Sequence, residues 1–312
     1  MSSSVAWVAE AAREIAREAR EGDDRMLVVV GPTASGKTAL AIDLARQLEG
    51  EIVNVDSVQI YRGFDIGSGK PTADERAEIP HHLVDLLDPN DAIEASRFRE
   101  LADEVLADIR ARGKRPILAG GTFLWQRAVL YGLAEGPKAD AEARRRHRDL
   151  AAREGNEALH RELQAADPES AKRLHPNDLV RVSRALEVFE LTGRTMTALH
   201  EEHGFREARI PHRLVGVRYP DAVLTKRIDE RARYWLENGW IEEVSRLERE
   251  GFGKSRAMES VGYREVAAFL RGELSREELL PKVVQSTRIF VRRQRTWLAR
   301  ADVRWIEPPN AG

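Results

Sequence analysis

Residues Gly31 to Thr38 read GPTASGKT and directly follow the apolar run MLVVV. They fit the pattern G-x-x-x-x-G-K-[ST], in which a loop between a strand and a helix holds phosphate. Glycines let backbone N–H groups turn toward phosphate oxygens, and the following helix presents its positive end to the anion. The residues expected to bind phosphate are Gly31, Pro32, Thr33, Ala34, Ser35, Gly36, Lys37 and Thr38.

Two side chains of this loop could act on the ligand directly. Lys37 carries a mobile positive charge, and the hydroxyl of Thr38 suits either a phosphate oxygen or a metal such as Mg²⁺. Loops of this kind most often hold ATP or GTP. The pattern identifies phosphate and leaves the rest of the ligand open.

Asp56 ends the second apolar run, EIVNVD, and begins the stretch DSVQIYRGFDIGSGKP. A carboxylate near a phosphate loop could bind magnesium through water or act as a general base. The alternative is a helix or turn cap, since Asp followed by Ser is a common capping pair. Gln59 can pair with an adenine edge and Tyr61 can stack or pack, so the cluster indicates a site that reads a base.

Polar residues also follow two other apolar runs. Gly120 and Gly121 permit a tight turn before Thr122, whose hydroxyl and N–H could both face an anion or simply cap the next helix. The doublet His81 and His82 could indicate a metal. Because no further His or Cys stands at ligand spacing, structural hydrogen bonding is the favoured interpretation.

The elements that must position these residues can be read from hydrophobic periodicity. Helical patterns, such as residues 37–48 and 95–111, separate most of the apolar runs. The alternation predicts an α/β domain with a parallel sheet and helices on both faces, whose ligands bind beyond the carboxyl ends of the strands. The six predicted strands are residues 26–30, 51–55, 82–86, 116–120, 214–219 and 303–307.

Two segments depart from this alternation. Residues 138–209 are charged and helical without a clear strand, which predicts an all-helical insertion between two parts of a core domain, 26–137 and 210–307. Residues 1–25 predict an extra amphipathic helix that covers the sheet or mediates association. Its apolar face would consist of Val5, Val8, Ala12, Ile15 and Ala19.

The composition narrows the class of protein. The 312 residues carry a net charge of -2 and no cysteine, which excludes disulfides, zinc–thiolate sites and Cys nucleophiles. The lack of cysteine is compatible with a reducing cytoplasm, and we expect a cytoplasmic protein that is a monomer. No apolar run approaches the length of a membrane span. Residues 281–300 contain six basic side chains and no acidic one. Such a stripe binds a polyanion or is a solvated helix face.

Taken in order, eight segments resemble the tRNA dimethylallyltransferases over about residues 26–306. They are GPTASGKT, DSVQIYRGFDIGSGKP, PHHLVD, GGTFLW, HPNDLVRVSRALEVFELTG, RIDERARYWLENGWIEEV, VGYRE and TRIFVRRQRTWL. The resemblance implies a P-loop NTPase-like fold with a helical tRNA-binding insertion. It also implies transfer of a dimethylallyl group from dimethylallyl diphosphate to N6 of the adenosine beside the anticodon (position 37), in tRNAs that read codons starting with U. Diphosphate would be released, with Mg²⁺ as cofactor.

The resemblance also assigns roles to particular residues. It implies that Asp56 orients the amine and accepts its proton, that Thr122 contacts the bridging oxygen of the leaving diphosphate, and that Arg227 stabilises that diphosphate. The basic stripe then has a partner, the anticodon stem-loop of tRNA. The implied tRNA contacts are Asp56, Ser57, Val58, Gln59, Val180, Arg181, Ser183, Arg184, Gly262, Tyr263, Arg264, Arg292, Arg293, Gln294 and Trp297. For Trp297 itself, a buried position in a helix is favoured over stacking on a base.

Three alternatives stay open at this point. A small-molecule P-loop kinase or NTPase would share the loop, although no apolar strand ends in the Asp pair typical of ATP hydrolysis. An adenine-nucleotide isopentenyltransferase that makes cytokinin would share the chemistry without needing the insertion or the basic stripe. A catalytically silent RNA-binding protein would not need Lys37, Thr38, Asp56, Thr122 and Arg227 together.

Overall fold

The computed structural model describes residues 3–134, 136–205 and 207–308, with side chains from Ala6 onward, so the side chain of Val5 lies outside the described residues. In this part of the chain, the strands form a single six-stranded sheet in the order β3-β2-β4-β1-β5-β6, and every pairing is parallel. The strands are β1 (Met26–Val30), β2 (Gly50–Val55), β3 (His81–His82), β4 (Arg115–Gly120), β5 (His212–Val217) and β6 (Val303–Ile306).

The described residues also form α-helices. They are α1 (Ser3–Arg20), α2 (Lys37–Leu48), α3 (Ala73–Glu78), α4 (Ala95–Ala111), α5 (Phe123–Tyr131), α6 (Ala141–Glu154), α7 (Asn156–Ala166), α8 (Pro168–Arg173), α9 (Leu179–Thr192), α10 (Met196–His203), α11 (Asp221–Glu237), α12 (Trp240–Arg249), α13 (Tyr263–Leu270) and α14 (Arg276–Leu298). No helix among them is long and apolar enough to cross a membrane.

The central strands are buried on both faces. Every residue of β1 and β2 is buried, although successive side chains of a strand point to opposite faces. Such strands occur where both faces of a parallel sheet are covered. The predicted α/β architecture with a P-loop-like parallel sheet is therefore confirmed.

The predicted strand at residues 82–86 is wrong, because only His81 and His82 pair with β2. Leu83 and Asp85 then adopt left-handed backbone conformations, with φ of 60° and 54°, which end the strand. The buried ammonium of Lys70 lies 2.5 Å from the carboxylate of Asp85. This ion pair holds residues 83–86 against the turn at residues 59–61, so the segment does not extend the sheet.

The chain forms two compact units. The first contains Met1–Leu130 and Ala208–Gly312, and therefore the whole described sheet. The second, Tyr131–Glu207, contains helices α6–α10 and no strand among its described residues. Leu159, Leu163, Val182 and Leu186 form its apolar core.

Candidate active site

The phosphate loop lies at the carboxyl end of β1, which is flanked by β4 and β5. Its tight path depends on two glycines. A Cβ at Gly31 would lie only 2.5 Å from Ser35 Oγ, and Gly36 has a φ of 87° immediately before α2. The N-terminus of α2 therefore opens directly from the loop, which is the arrangement that binds an anion through backbone N–H groups.

Three side chains from the C-terminal third of the chain hold this loop. Arg227 Nε donates to the carbonyl oxygen of Ala34 at 2.9 Å. Arg231 Nη2 donates to Thr33 Oγ1 at 2.7 Å, and the N–H of Thr33 donates to Gln294 Oε1 at 2.9 Å. Arg231 was not among the predicted residues, although it follows Arg227 by four positions and so lies on the same face of α11.

The site contains more basic side chains than carboxylates that could balance their charge. Burial lowers the pKa of Lys37 to about 8; Asp56 opposes this effect, and Arg231 adds to it. Burial, together with the neighbouring Arg227, lowers the pKa of Arg231 to about 10. Lys37 and Arg231 are both partly exposed and line the same cavity. An anionic ligand would favour the charged form of both groups.

Asp56 caps a turn and still keeps one carboxylate oxygen available. Its Oδ1 accepts hydrogen bonds from the N–H groups of Val58 and Gln59, at 2.9 Å and 3.3 Å. Within the described residues, no group donates to Oδ2. Burial raises the pKa of Asp56, while the two backbone N–H groups and Lys37 oppose the rise. The capping alternative and the general-base interpretation are thus compatible, because they use different oxygens.

Thr122 is fixed against the residue that follows Asp56. Its Oγ1 accepts from the N–H of Ser57 at 3.0 Å and donates to Ser57 Oγ at 3.2 Å. The expectation that the N–H of Thr122 faces an anion is wrong, because it donates to the carbonyl oxygen of Val55 at 3.1 Å. Only its hydroxyl oxygen is directed toward the site.

A cavity of about 460 Å³ brings these residues together. Its polar end contains Lys37, Asp56 and Thr122, which follow the adjacent strands β1, β2 and β4. Elsewhere it is lined by the apolar side chains of Ile228, Trp235, Val283 and Phe290, and by the basic side chains of Arg231, Arg256, Arg264 and Arg293. A cavity of about 470 Å³ on the other side of Pro32 has none of the predicted catalytic residues in its described lining.

A buried carboxylate builds one wall of this cavity. Glu243 accepts hydrogen bonds from the N–H groups of Asp65, Ile66 and Gly67, at 3.0, 2.8 and 3.4 Å, and from the hydroxyl of Tyr263 at 2.7 Å. Burial raises the pKa of Tyr263 well above its ordinary value. Tyr263 is only 1% exposed, so it holds the wall rather than presenting itself to a partner.

The close packing of this wall depends on glycine. A Cβ at Gly67 would lie 1.9 Å from Nε1 of the buried Trp240, and a Cβ at Gly262 would lie 2.3 Å from the same ring. Gly262 was predicted as a tRNA contact, and the structure places it beneath Trp240, in left-handed backbone before α13. Arg264, next to Tyr263, is exposed and forms an ion pair with Glu265.

Gln59 and Tyr61 hold the turn after Asp56. Gln59 Nε2 donates to the carbonyl oxygens of Ser68 and Gly69, at 2.9 Å and 3.1 Å. The amide protons that would pair with an adenine edge are therefore directed at the protein backbone. Tyr61 is buried and its hydroxyl donates to the carbonyl oxygen of Asp91, so it packs rather than stacks on a ligand.

The predicted contacts in α9, within the helical unit, divide into exposed and buried residues. Val180 is 82% exposed and Arg181 is also largely exposed, with Asp178 as its ion-pair partner. Ser183 is buried and hydrogen bonds to His147 at 2.9 Å. Arg184 forms an ion pair with Glu187 and donates to the carbonyl oxygen of Pro137. Val180 and Arg181 are therefore the most exposed of the four, Arg184 is partly exposed, and Ser183 is buried.

The C-terminal part of α14 presents two sides. Arg292 and Arg293 are exposed, whereas Gln294 is only 4% exposed and faces the phosphate loop. The expectation of a buried Trp297 is wrong, because this ring is 45% exposed. The guanidinium of Arg127 lies 5.5 Å from its centre. An exposed indole beside arginines suits stacking on a nucleic-acid base.

The two histidines make structural hydrogen bonds, as expected. His81 Nδ1 lies 2.7 Å from the carbonyl oxygen of Ile79, and His82 Nε2 lies 2.6 Å from Glu51 Oε2. Over the described ranges, no group of three or more His, Cys, Asp or Glu side chains could hold a metal ion. A metal at this site would need oxygens from the ligand.

A parallel sheet with a phosphate loop after its central strand defines an α/β protein of the P-loop type. Residues 59–301 match the family model described as IPP transferase, and the chain belongs to this family. It is 58% identical over 284 residues to a tRNA dimethylallyltransferase of Sorangium cellulosum, covering 91% of this chain and 90% of that relative. A tRNA dimethylallyltransferase of Anaeromyxobacter dehalogenans is 50% identical over 286 residues, with 91% and 95% covered.

Solved structures show the same similarity. The full-length tRNA isopentenylpyrophosphate transferase of Bacillus halodurans superimposes with a TM-score of 0.67 at 34% identity, covering 91% of this chain and 89% of that one. A eukaryotic dimethylallyltransferase described as acting on tRNA gives a TM-score of 0.76 at 25% identity, with 90% and 73% covered.

Proposed function

We propose that this chain transfers a dimethylallyl group from dimethylallyl diphosphate to N6 of the adenosine on the 3′ side of the anticodon in tRNAs that read codons starting with U. The observation that carries the proposal is the cavity that joins Lys37, Asp56 and Thr122 to an apolar wall and to exposed arginines. Its polar end suits a diphosphate, the wall suits a short hydrocarbon, and the arginines suit RNA phosphates. The names of the relatives support the same reaction.

The residues of the site account for the chemical step. The allylic C–O bond breaks, a bond forms between that carbon and N6, and the bonding electrons of the C–O bond leave with the diphosphate. Lys37, Arg227 and Arg231 stabilise the charge that grows on this leaving group, and the hydroxyl of Thr122 turns from Ser57 Oγ to donate to its bridging oxygen. Asp56 Oδ2 accepts the proton that N6 loses, while Oδ1 stays bonded to the turn.

Mg²⁺ fits the donor set at the loop. A small polar cavity beneath the loop is lined by Thr38 and Asp56. Mg²⁺ commonly takes one or two protein groups and completes its shell with phosphate oxygens and water. The Thr38 hydroxyl would hold the ion together with the diphosphate, and the bound ion would neutralise charge on the leaving group.

The tRNA would be held on two surfaces, each described within its own unit. In the core unit, Arg256, Arg264 and Arg293 are exposed beside the cavity and would contact backbone phosphates. The target base would leave its stack to reach Asp56. In the helical unit, which we propose as a tRNA-binding insertion, Val180 and Arg181 are the exposed candidates. We propose that the protein acts in the cytoplasm as a monomer.

The experiment incubates the protein with unmodified tRNA, labelled dimethylallyl diphosphate and Mg²⁺. Label should appear in the tRNA, and turnover of ATP without prenyl transfer would instead favour a P-loop kinase or NTPase. Transfer to free AMP, ADP or ATP but not to tRNA would favour the cytokinin-forming enzyme.

Asp56→Asn separates the two functions of this residue. Asparagine keeps an oxygen that can accept from Val58 and Gln59, but it cannot accept the proton from N6. We expect transfer to fall by about 10²- to 10⁴-fold while inorganic pyrophosphate binds as before. Asp56→Ala, which also removes the cap, is the comparison variant. If Asp56→Asn loses pyrophosphate binding, the assignment of Asp56 as the base is refuted.

A further inference from the structure

Helix α1 is firmly attached to the core unit. Val8, Ala12, Ile15 and Ala19 are buried, which confirms the predicted apolar face for the described side chains. Its acidic side chains pair with strands β5 and β6. Glu14 and Glu18 each bind Arg304, at 2.6 Å and 2.7 Å, and Glu18 also binds Arg213 at 2.7 Å. The helix therefore covers the sheet, but this packing alone gives it no part in the reaction.

The N-terminal part of α1 reaches toward the phosphate loop through two aromatic rings. Trp7 contacts Tyr219 edge to face, with ring centres 5.7 Å apart and planes at 80°. Tyr219 follows β5 and is buried. The guanidinium of Arg227 lies over the Tyr219 ring, 4.7 Å from its centre, and Arg227 Nε donates to Ala34 of the loop.

The guanidinium of Arg227 lies close to the phosphate loop. A Cβ placed on Gly36 would lie 3.9 Å from Arg227 Nη2, so this nitrogen lies beside the N-terminus of α2. An arginine side chain has several rotatable bonds, and ordering them when phosphate binds costs free energy. A guanidinium that already lies at the loop therefore gives tighter phosphate binding. A ring beneath the guanidinium and a carbonyl at Nε together fix that position.

We propose that Trp7 is a positioning residue for the diphosphate site: it fixes Tyr219, and Tyr219 holds Arg227 against the phosphate loop. This inference rests on the proposed function, because it takes Arg227 to bind the diphosphate. Under this inference the N-terminal helix contributes to the affinity for diphosphate, in addition to covering the sheet.

The test compares wild-type protein with Trp7→Ala, Arg227→Ala and the double variant. The readouts are the Kd of inorganic pyrophosphate by calorimetry and the KM of dimethylallyl diphosphate. Because Trp7→Ala weakens an aromatic pair and the cation–π contact that depends on it, we expect it to raise the Kd of pyrophosphate and the KM of dimethylallyl diphosphate by about fivefold each. The KM of tRNA should not change, and Trp7→Phe should restore most of the affinity. In the Arg227→Ala background, Trp7→Ala should have no further effect.

Ile15→Ala is the matched control, since it removes a buried contact of the same helix away from Trp7. It should lower the Tm without changing the Kd of pyrophosphate. If Trp7→Ala does not yield folded protein, Trp7→Leu keeps an apolar contact and removes the ring.

Four outcomes would overturn either the role of Arg227 or the inference about Trp7. An unchanged pyrophosphate Kd in Arg227→Ala would refute the role of Arg227 in the proposed function. A weakened Arg227→Ala with an unaffected Trp7→Ala would refute only the inference about Trp7. Full additivity in the double variant, or an equal effect of Ile15→Ala, would show that Trp7 acts through general stability, and this would also overturn the inference.

Discussion

Diphosphate binding should pull a proton onto Lys37. Burial in the cavity lowers the pKa of this ammonium from 10.5 to about 8. A diphosphate brings negative charge next to the ammonium and favours its charged form, so the pKa of Lys37 in the complex rises back toward its ordinary value. About a pH unit or more below this lowered pKa the group is almost fully charged in both states, and almost no proton moves. Between the two pKa values the free protein holds the neutral amine, so binding takes up a proton.

The size of the effect follows from the lowered pKa. At pH 8 half of the free protein carries neutral Lys37, so binding should take up about half a proton per diphosphate. At pH 9 the neutral fraction is about nine-tenths, and the affinity should be about tenfold weaker than at pH 7. The affinity therefore falls as the pH rises through the lowered pKa.

Calorimetry measures this uptake directly. Pyrophosphate is titrated into the protein at pH 8 in several buffers that differ in ionisation enthalpy, and the slope of the observed heat gives the number of protons. Lys37→Gln is the matched control, because its amide cannot titrate and any remaining uptake belongs to the ligand or to other groups of the site. Equal uptake in both proteins would refute the reasoning, as would a wild-type affinity that stays constant from pH 7 to pH 9 after the ligand's own titration is subtracted.

Three further changes test other parts of the site. Glu243→Gln leaves buried N–H groups at the cavity wall less well paired, so urea unfolding should show a loss of about 2–3 kcal/mol; an unchanged midpoint would contradict this. Gln294→Leu removes the acceptor of the Thr33 N–H and should raise the KM of dimethylallyl diphosphate several-fold; a raised KM for tRNA alone would instead indicate an RNA contact. Replacing Arg292 and Arg293 with alanine should weaken tRNA binding and reduce its salt slope by about 1–2; an unaltered slope would argue against phosphate contacts.

The sequence predicted the polar end of the site because local patterns encode it. Lys37, Asp56 and Thr122 each follow a buried strand, and β1, β4 and β2 are neighbours in the sheet. Parallel strands bring their carboxyl ends to one edge, so residues far apart in sequence meet there without any further information. The sequence did not predict the order of the strands, but the prediction that these three residues lie at one edge does not depend on that order.

The rest of the site depends on contacts that no local pattern shows. Arg231 and Gln294 reach Thr33 across 198 and 261 residues. The pattern of α14 indicated a helix but not which of its sides meets the phosphate loop. Gln294 was therefore predicted to contact tRNA although it is buried, and Trp297 was expected to be buried although it is exposed. The predicted strand at 82–86 failed for a related reason, since an ion pair from Lys70 redirects an otherwise apolar segment.

Contacts between residues far apart in sequence have a consequence for synthesis on the ribosome. Glu18 of α1 binds Arg304 of β6 across 286 residues, and β1 gains its neighbour β5 only after residues 212–217 have been made. Contacts between residues so distant in sequence form late and slow the folding of a domain. The phosphate loop emerges well before α14, so Thr33 gains its partner Gln294 only after a further 261 residues have been translated. A nascent chain that lacks α14 therefore has a phosphate loop without this acceptor, and we expect it to bind diphosphate less tightly.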